Sequence, residues 1–130
     1  MNISKVGILK RFFVLTLLLF SILRAELTHY EKGLDFYNQR AEESIGLKAS
    51  SIYIDQAIDH FQKVTKNSGK KLDAEVNLLK CYYYKGKFVF QTDNEKKDIY
   101  SKGKVLGEKL INLYPESVSA HYWYLVNLGS

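Results

Sequence analysis

The stretch IDQAIDHFQKV, residues 54–64, carries the periodicity that decides the fold. Its apolar side chains recur at spacings of three and four, which places them along one face of an amphipathic helix. These side chains are Ile54, Ala57, Ile58, Phe61 and Val64. Asn67, Ser68 and Gly69 come next and are typical of a helix end. The sequence therefore predicts a helix that is closed at residues 67–69.

A second stretch, DIYSKGKVLGEKLINLYP, residues 98–115, repeats this pattern with Ile99, Gly103, Leu106, Leu110 and Leu113. Thr92 and Glu95 have the spacing of a capping box, which marks a helix start, and Pro115 marks the end. Gly103 and Gly107 are four residues apart inside an amphipathic, lysine-containing segment. This spacing predicts the close approach of another helix and not a membrane-spanning dimer.

The two stretches are related by a constant offset of 46 residues, which aligns Ala57 with Gly103 and Phe61 with Gly107. The segments before them keep this offset, and a third copy begins with SVSAHYWYLVNLG, residues 117–129. One proline and the lack of alternating Val/Ile/Thr runs argue against strands. We therefore expect an all-α fold of stacked antiparallel helical hairpins with a period of about 46 residues. The pattern predicts two complete hairpins and the first helix of a third, truncated hairpin.

Two segments resemble the tetratricopeptide repeat. AEVNLLKCYYYKG, residues 74–86, has Leu78, Leu79, Tyr82 and Gly86 at the spacing of the Leu-Gly-x-x-Tyr-x-x-x-Gly signature of its first helix, with Leu79 in place of the signature glycine. AIDHFQKV, residues 57–64, is similar to its second helix. The period is about 12 residues longer than the usual 34. EKLINLYPESVSAHYWYLVNLG, residues 108–129, also resembles the periplasmic T-component of tripartite TRAP transporters.

This resemblance implies an α-solenoid whose first helices line a concave, partner-binding surface. A helical wheel assigns Cys81 and Tyr82 to the core. The family's contact positions, with Asn38 beside them, form what we call the predicted binding strip: Tyr30, Leu34, Tyr37, Val76, Lys80, Tyr83, Tyr84, Tyr122 and Val126. Tyrosine combines a large apolar ring with a polar tip, which suits recognition. The alternative is that these rings only cover gaps between helices.

The N-terminal residues 1–25 are predicted to be a signal peptide. Lys5, Lys10 and Arg11 precede an apolar run, residues 12–23, which is shorter than the roughly 20 residues that span a bilayer. Cleavage after Ala25 would leave residues 26–130 as one helical-repeat domain in the periplasm or outside the cell; an uncleaved signal would tether it to the membrane. Loss of these three residues and Arg24 takes the formal net charge from +5 to +1, which argues against a nucleic-acid partner.

Motifs for catalysis or cofactors are absent from the sequence. His29, His60 and His121 are far apart along the chain and lack metal-ligand spacing, and His29 and His121 are expected to fill equivalent packing positions. Cys81 is predicted to be buried, which argues against a reactive thiol. We therefore expect neither a metal nor a cofactor, and no enzyme activity.

The expected function is that of an exported interaction or scaffold module. The resemblance implies a periplasmic solute-binding protein as its partner. The alternative is a small-molecule carrier or a small enzyme with a pocket between hairpins. The last helix, around Tyr122 to Leu128, is apolar nearly all round and needs a cover, which predicts self-association, a partner there, or a chain that continues.

Overall fold

The structure, a computed structural model, describes the backbone of residues 3–130 and the side chains of residues 5–17 and 28–130. Its helices are α1 (Ile3–Asn38), α2 (Ile52–Gln62), α3 (Lys71–Tyr84), α4 (Asp93–Leu113) and α5 (Val118–Leu128), with a π-helical turn (Lys85–Val89) after α3. The described backbone has no strand; its β-type pairing is a single bridge between Ile45 and Lys48. The predicted all-α fold class is confirmed.

Helix α1 includes most of the predicted signal peptide, because it begins at Ile3 and continues without a break to Asn38. Phe12, Phe13 and Leu15 are exposed on it. The predicted cleavage site at Ala25 lies among the residues whose side chains are not described. Within the described part of the chain, no helix combines the length and apolarity needed to cross a membrane. The signal peptide stays a prediction.

Local sequence signals set the ends of α4 but not the end of α2. The Thr92 side chain accepts a hydrogen bond from the backbone N–H of Glu95, and the Glu95 carboxylate accepts one from the N–H of Thr92, as the capping box predicts. Helix α2 ends at Gln62, so the predicted closure at residues 67–69 is wrong. The backbone N–H of Val64 donates to the carbonyl of Phe61, a tighter turn that carries Val64 into the core.

Successive helices run antiparallel. Between α1 and α2 the ring of Tyr30 lies 6.0 Å from Phe61, whereas Phe36, further along α1, lies 6.5 Å from Tyr53, earlier on α2. Both hairpins, α1/α2 and α3/α4, have this direction, since Glu75 meets Lys109 and Gly86 faces Tyr100. Every second helix is therefore aligned with α1.

Helices α1, α3 and α5 run side by side in the same direction. Tyr30 on α1 and Asn77 on α3 line the same cleft, and further along, Tyr84 reaches Arg40, just after α1. Lys80 on α3 similarly meets Trp123 on α5. The three helices that carry the predicted binding strip are thus neighbours.

The buried side chains form two clusters on the faces that the periodicity predicts. The larger cluster consists of Ala49, Ile54, Ala57, Phe61, Val64, Ala74, Leu78, Cys81, Tyr82, Val89 and Ile99. The smaller one consists of Val76, Leu79, Leu110 and Ala120. The prediction that Cys81 and Tyr82 are core residues is confirmed. Leu113, at the end of the α4 stripe, is instead exposed.

Glycines allow α4 and α5 to pack closely, as the sequence predicts. A methyl group at Gly103 would overlap the side-chain amide of Asn127, and one at Gly107 would overlap the ring of Tyr124. Asn127 is 2% exposed, and its Nδ2 donates to the carbonyls of Leu79 on α3 (3.1 Å) and Trp123 (2.9 Å). Among the described residues, none donates a hydrogen bond to its Oδ1. One buried amide therefore links α3, α4 and α5.

A buried carboxylate joins α3 to α4. Glu75 is 5% exposed, and its Oε1 lies 2.8 Å from Nζ of Lys109 and 3.5 Å from Nζ of Lys71. Lys71 lies on α3 and Lys109 on α4, so each helix supplies one ammonium group to the carboxylate. Such a buried charge needs its partners, because an unpaired one would be strongly destabilising.

Candidate functional site

The structure divides the predicted binding strip into three groups along α1, α3 and α5. We name them the polar cleft (with Tyr30, Val76 and Lys80), the Trp123 cluster (Lys80, Tyr83, Tyr122 and Trp123) and the Arg40 clasp (Tyr37, Arg40 and Tyr84). Leu34 packs against the larger core cluster. Val126 is half-buried on α5, and Asn38 is exposed at the end of α1.

The polar cleft lies where α1, α3 and the start of α5 meet. It has a volume of about 200 Å³ and is lined by Tyr30, Leu72, Asp73, Val76, Asn77, Lys80, Ser117 and Ser119. Burial, and then the nearby carboxylate of Asp73, raises the pKa of Tyr30. Val76 is only 6% exposed and forms the floor. Hydroxyl, amide and ammonium groups at the rim suit hydrogen bonding to a polar segment.

The Trp123 cluster is the most accessible aromatic group of the strip. The Trp123 ring lies 6.1 Å from Tyr83 and 5.3 Å, edge to face, from Tyr122, with Nζ of Lys80 5.8 Å from its centroid. Nζ of Lys87 donates to the Tyr83 hydroxyl at 2.8 Å. This contact raises the pKa of Lys87. Tyr122 is 59% exposed, so the cluster offers a partner the faces of aromatic rings together with the ammonium groups of two lysines.

Sequence reasoning identified Tyr83 and Tyr122 but missed Trp123, which stands at their centre. The family positions carried onto α5 fell on Tyr122 and Val126, on either side of it. A usable signal was present, because this is the single tryptophan of the chain and tryptophan is strongly enriched among residues that dominate binding.

The Arg40 clasp ties two strip tyrosines to each other. The guanidinium of Arg40 lies 4.1 Å from the ring centroid of Tyr37 and 5.3 Å from that of Tyr84. Its Nη1 donates to the Tyr37 carbonyl at 2.7 Å, and the Tyr84 hydroxyl donates to the Arg40 carbonyl at 3.0 Å. Burial raises the pKa of Tyr37 although Arg40 opposes it. Both rings are engaged within the fold, which reduces what they can offer a partner.

Two histidines that are distant in the sequence meet in the structure. Nδ1 of His29 lies 2.9 Å from Nδ1 of His60, within hydrogen-bond distance, and the His60 ring stacks on Phe36 at 5.5 Å. Burial, and then the charge of His29, lowers the pKa of His60. Their separation along the chain therefore does not keep these two histidines apart in the fold. His121 is exposed, against the expected packing role, and contacts the carbonyl of Pro115.

The thiol of Cys81 is fully buried, and burial strongly raises its pKa. A thiol in this environment stays protonated at neutral pH, so it cannot serve as a nucleophile. Among the described residues, no group of three or more His, Cys, Asp or Glu side chains could hold a metal ion.

Two further depressions lie outside the strip. One, of about 390 Å³ between α4 and α5, is lined by Asp93, Lys96, Lys97, Tyr100, Ser101, Lys104, Asn127, Leu128 and Ser130. The other, of about 490 Å³ along α3 and α4, is lined by Tyr82, Ser101, Lys102, Val105, Leu106 and Lys109. Both are open to solvent over much of their area, unlike the enclosed sites that bury most of a small ligand.

Comparisons with protein-family models, with curated proteins and with solved structures find no match. The function is therefore argued from the residues and geometry of this chain.

Proposed function

We propose that the chain is an exported, non-catalytic helical-repeat module of tetratricopeptide type, which binds a segment of a partner protein along α1, α3 and α5. The parallel arrangement of these three helices, with α2 and α4 as return helices, supports a stacked array. Two pairs of residues 46 positions apart share an environment: Ala57 and Gly103 are both buried, as are Ala74 and Ala120. Stacked hairpins of this kind create extended binding surfaces.

The observation that carries the proposal is the Trp123 cluster. Three aromatic rings and the ammonium group of Lys80 converge on one accessible spot of a rigid helical face. Tryptophan and tyrosine supply large contact areas with few rotatable bonds, and they dominate measured hot spots. Rings that served only to fill gaps would be expected to be covered, whereas Tyr122 is more than half exposed.

The charges of the strip indicate the chemistry of its partner. Lys80 and Lys87 flank the aromatic rings, and the acidic Asp73 stands at the far end, in the polar cleft. A partner segment with an acidic group next to aromatic or aliphatic side chains would complement this pattern. The resemblance to the T-component of TRAP transporters makes a periplasmic solute-binding protein the proposed partner.

The alternative function, a small-molecule carrier or small enzyme, would use the depression between α4 and α5, although this depression is open to solvent. Lysine side chains and the ring of Tyr100 line it, which would suit a small anion. A small anion that raises the melting temperature of the wild type but not of a Lys104→Gln variant would support this alternative.

The test of the proposal places a photo-crosslinking residue at Tyr122 and, in a parallel strain, at Tyr114. Tyr114 is 36% exposed and lies outside the strip. We expect a partner to be captured from Tyr122 and not from Tyr114. The purified partner is then titrated by calorimetry with the wild type and with a Lys80→Glu, Tyr83→Ala double variant. Loss of two hot-spot contacts should weaken binding by about 30-fold or more.

Tyr114→Ala is the matched control and should bind like the wild type. Circular dichroism must show an intact fold in each variant. If the double variant is folded and binds the captured partner with unchanged affinity, the strip is not the binding surface. Tyr84 is left unchanged in this design, because its hydroxyl bonds to the Arg40 carbonyl and its loss would disturb the fold.

A further inference from the structure

Helix α5 has an uncovered apolar side. Val118, Tyr122 and Leu125 recur at spacings of four and three and are 81%, 59% and 62% exposed, and Leu128 is 48% exposed. We call these four residues the exposed row. Among the side chains described outside residues 1–25, it is the longest run of exposed apolar residues on one helix. A surface helix normally turns a polar face to water.

The corresponding residues of α3 show how such a row is covered. The 46-residue offset aligns Val118, Tyr122 and Leu125 with Leu72, Val76 and Leu79. Val76 and Leu79 are 6% and 0% exposed, and all three α3 residues pack with Leu110 of α4 and Ala120 of α5. In the middle of the fold, a neighbouring helix thus covers these positions. On α5 they lack one among the described residues.

The chemistry of α5 indicates what kind of surface can cover it. The helix VSAHYWYLVNL contains no Asp, Glu, Lys or Arg. Its one basic side chain, His121, is already bonded to the carbonyl of Pro115. A charged partner surface would lose hydration on this row without gaining an ion pair. The α5 helix of a second copy of this chain suits the exposed row, because it is apolar. It also carries no charged side chain, so two such helices do not repel each other although the chain is lysine-rich.

We propose that two copies of this chain pair through the exposed rows of α5, related by a two-fold axis. In such a pair the same patch faces itself, so apolar side chains meet apolar side chains. A large side chain offers about 150 to 200 Å², so these four, at their exposures, present roughly 400 Å² in each copy. A standard interface takes about 800 Å² from each partner. The dimer is therefore weak and reversible, and forms only at high protein concentration.

Pairing goes beyond partner binding but affects the same site, since Tyr122 belongs to both the exposed row and the Trp123 cluster. Leu125 and Val118 belong to the exposed row alone. Changes at these two positions therefore test pairing without removing a side chain of the binding strip.

The experiment is analytical ultracentrifugation of the protein as it is isolated from cells, at concentrations from about 1 µM to 1 mM. We expect a monomer that becomes a dimer as concentration rises. Leu125→Glu and, independently, Val118→Glu should weaken dimerisation at least tenfold, because each would bury a carboxylate in an apolar contact. Val105→Glu, at an equally exposed position on α4 (68%), should leave it unchanged.

A second measurement locates the contact. Leu125→Cys should form an intermolecular disulfide under mild oxidation, because the two-fold axis brings the two copies of this position close together. The native Cys81 is buried and does not compete. The proposal is overturned if the wild type remains monomeric at 1 mM, or if it dimerises but Leu125→Glu and Val118→Glu dimerise as well. Leu125→Cys that stays reduced while the wild type dimerises would also overturn it.

Discussion

Replacement of Gly103 by alanine tests the close packing of α4 on α5. In an isolated helix this change would be stabilising by about 1 kcal/mol. In the protein the new methyl group would occupy the space of the Asn127 amide. Displacing a packed group costs about 1 to 3 kcal/mol, and losing its hydrogen bond to Leu79 costs about 1 kcal/mol more. We therefore expect a net loss of about 2 kcal/mol in the free energy of unfolding.

Urea and thermal unfolding followed by circular dichroism measure this loss. For a domain of this size, 2 kcal/mol corresponds to a melting temperature lower by about 7 to 9 °C. Ser101→Ala, at an exposed position on α4, is the control and should stay within about 0.5 kcal/mol of the wild type. Adding Asn127→Ala to Gly103→Ala should cost less than the sum of the single changes, because it removes the overlap. A Gly103→Ala protein that is more stable than the wild type would refute the close-packing argument.

Three further predictions concern ionisable groups. Because the pKa of His60 is lowered in the fold, the unfolded chain binds more protons, so the contribution of His60 to the free energy of unfolding is fully present above about pH 6.5 and is lost as the pH falls below it. His60→Gln should make urea unfolding less pH-dependent in that window. Cys81, buried and with a strongly raised pKa, should react with a thiol reagent at least about 100-fold more slowly in the native state than in urea. Lys109→Met should lower the free energy of unfolding by about 1 to 2 kcal/mol, because Glu75 keeps only the more distant lysine.

Controls for these predictions come from the same chain. His121→Gln changes an exposed histidine outside the pair and should preserve the pH dependence. Lys66→Met changes an exposed lysine between α2 and α3 and should leave stability within about 0.5 kcal/mol. Native-state labelling of the thiol at the unfolded rate, or a Lys109→Met protein as stable as the wild type, would contradict the burial on which the last two predictions rest.

The parts of the fold that could be predicted from sequence depend on local spacing. The α2 stripe, the Thr92 capping box and the close approach at Gly103 and Gly107 each follow from residues within one helical segment. Their side-chain environments are set by helical geometry, which does not vary between folds. The predicted binding strip falls on the neighbouring helices α1, α3 and α5 because successive helices run antiparallel, whereas the 46-residue period itself stays a prediction.

The parts that could not be predicted depend on segments without periodicity. The end of α2 is set by Val64 turning into the core, a tertiary effect that overrides the nearby Asn67 and Gly69. Arg40 stands at the start of an irregular connection in which Glu43 and Gly46 have positive φ angles of 59° and 63°. The path of this connection decides what the arginine contacts. The approach of His29 to His60 requires the relative rotation of α1 and α2, which composition and spacing do not specify.

The buried amide of Asn127 has a consequence for recognition one turn earlier on the same side of its helix. By donating to Leu79 on α3 it limits the rotation of α5 about its own axis, and its second bond, to the Trp123 carbonyl, secures the turn that carries the indole. The indole is therefore preorganised beside Lys80 before any partner arrives. Ordering a flexible interface side chain costs about 0.5 to 1.5 kcal/mol, and a partner that docks here is spared that entropy. Asn127 would thus contribute to affinity without touching the partner.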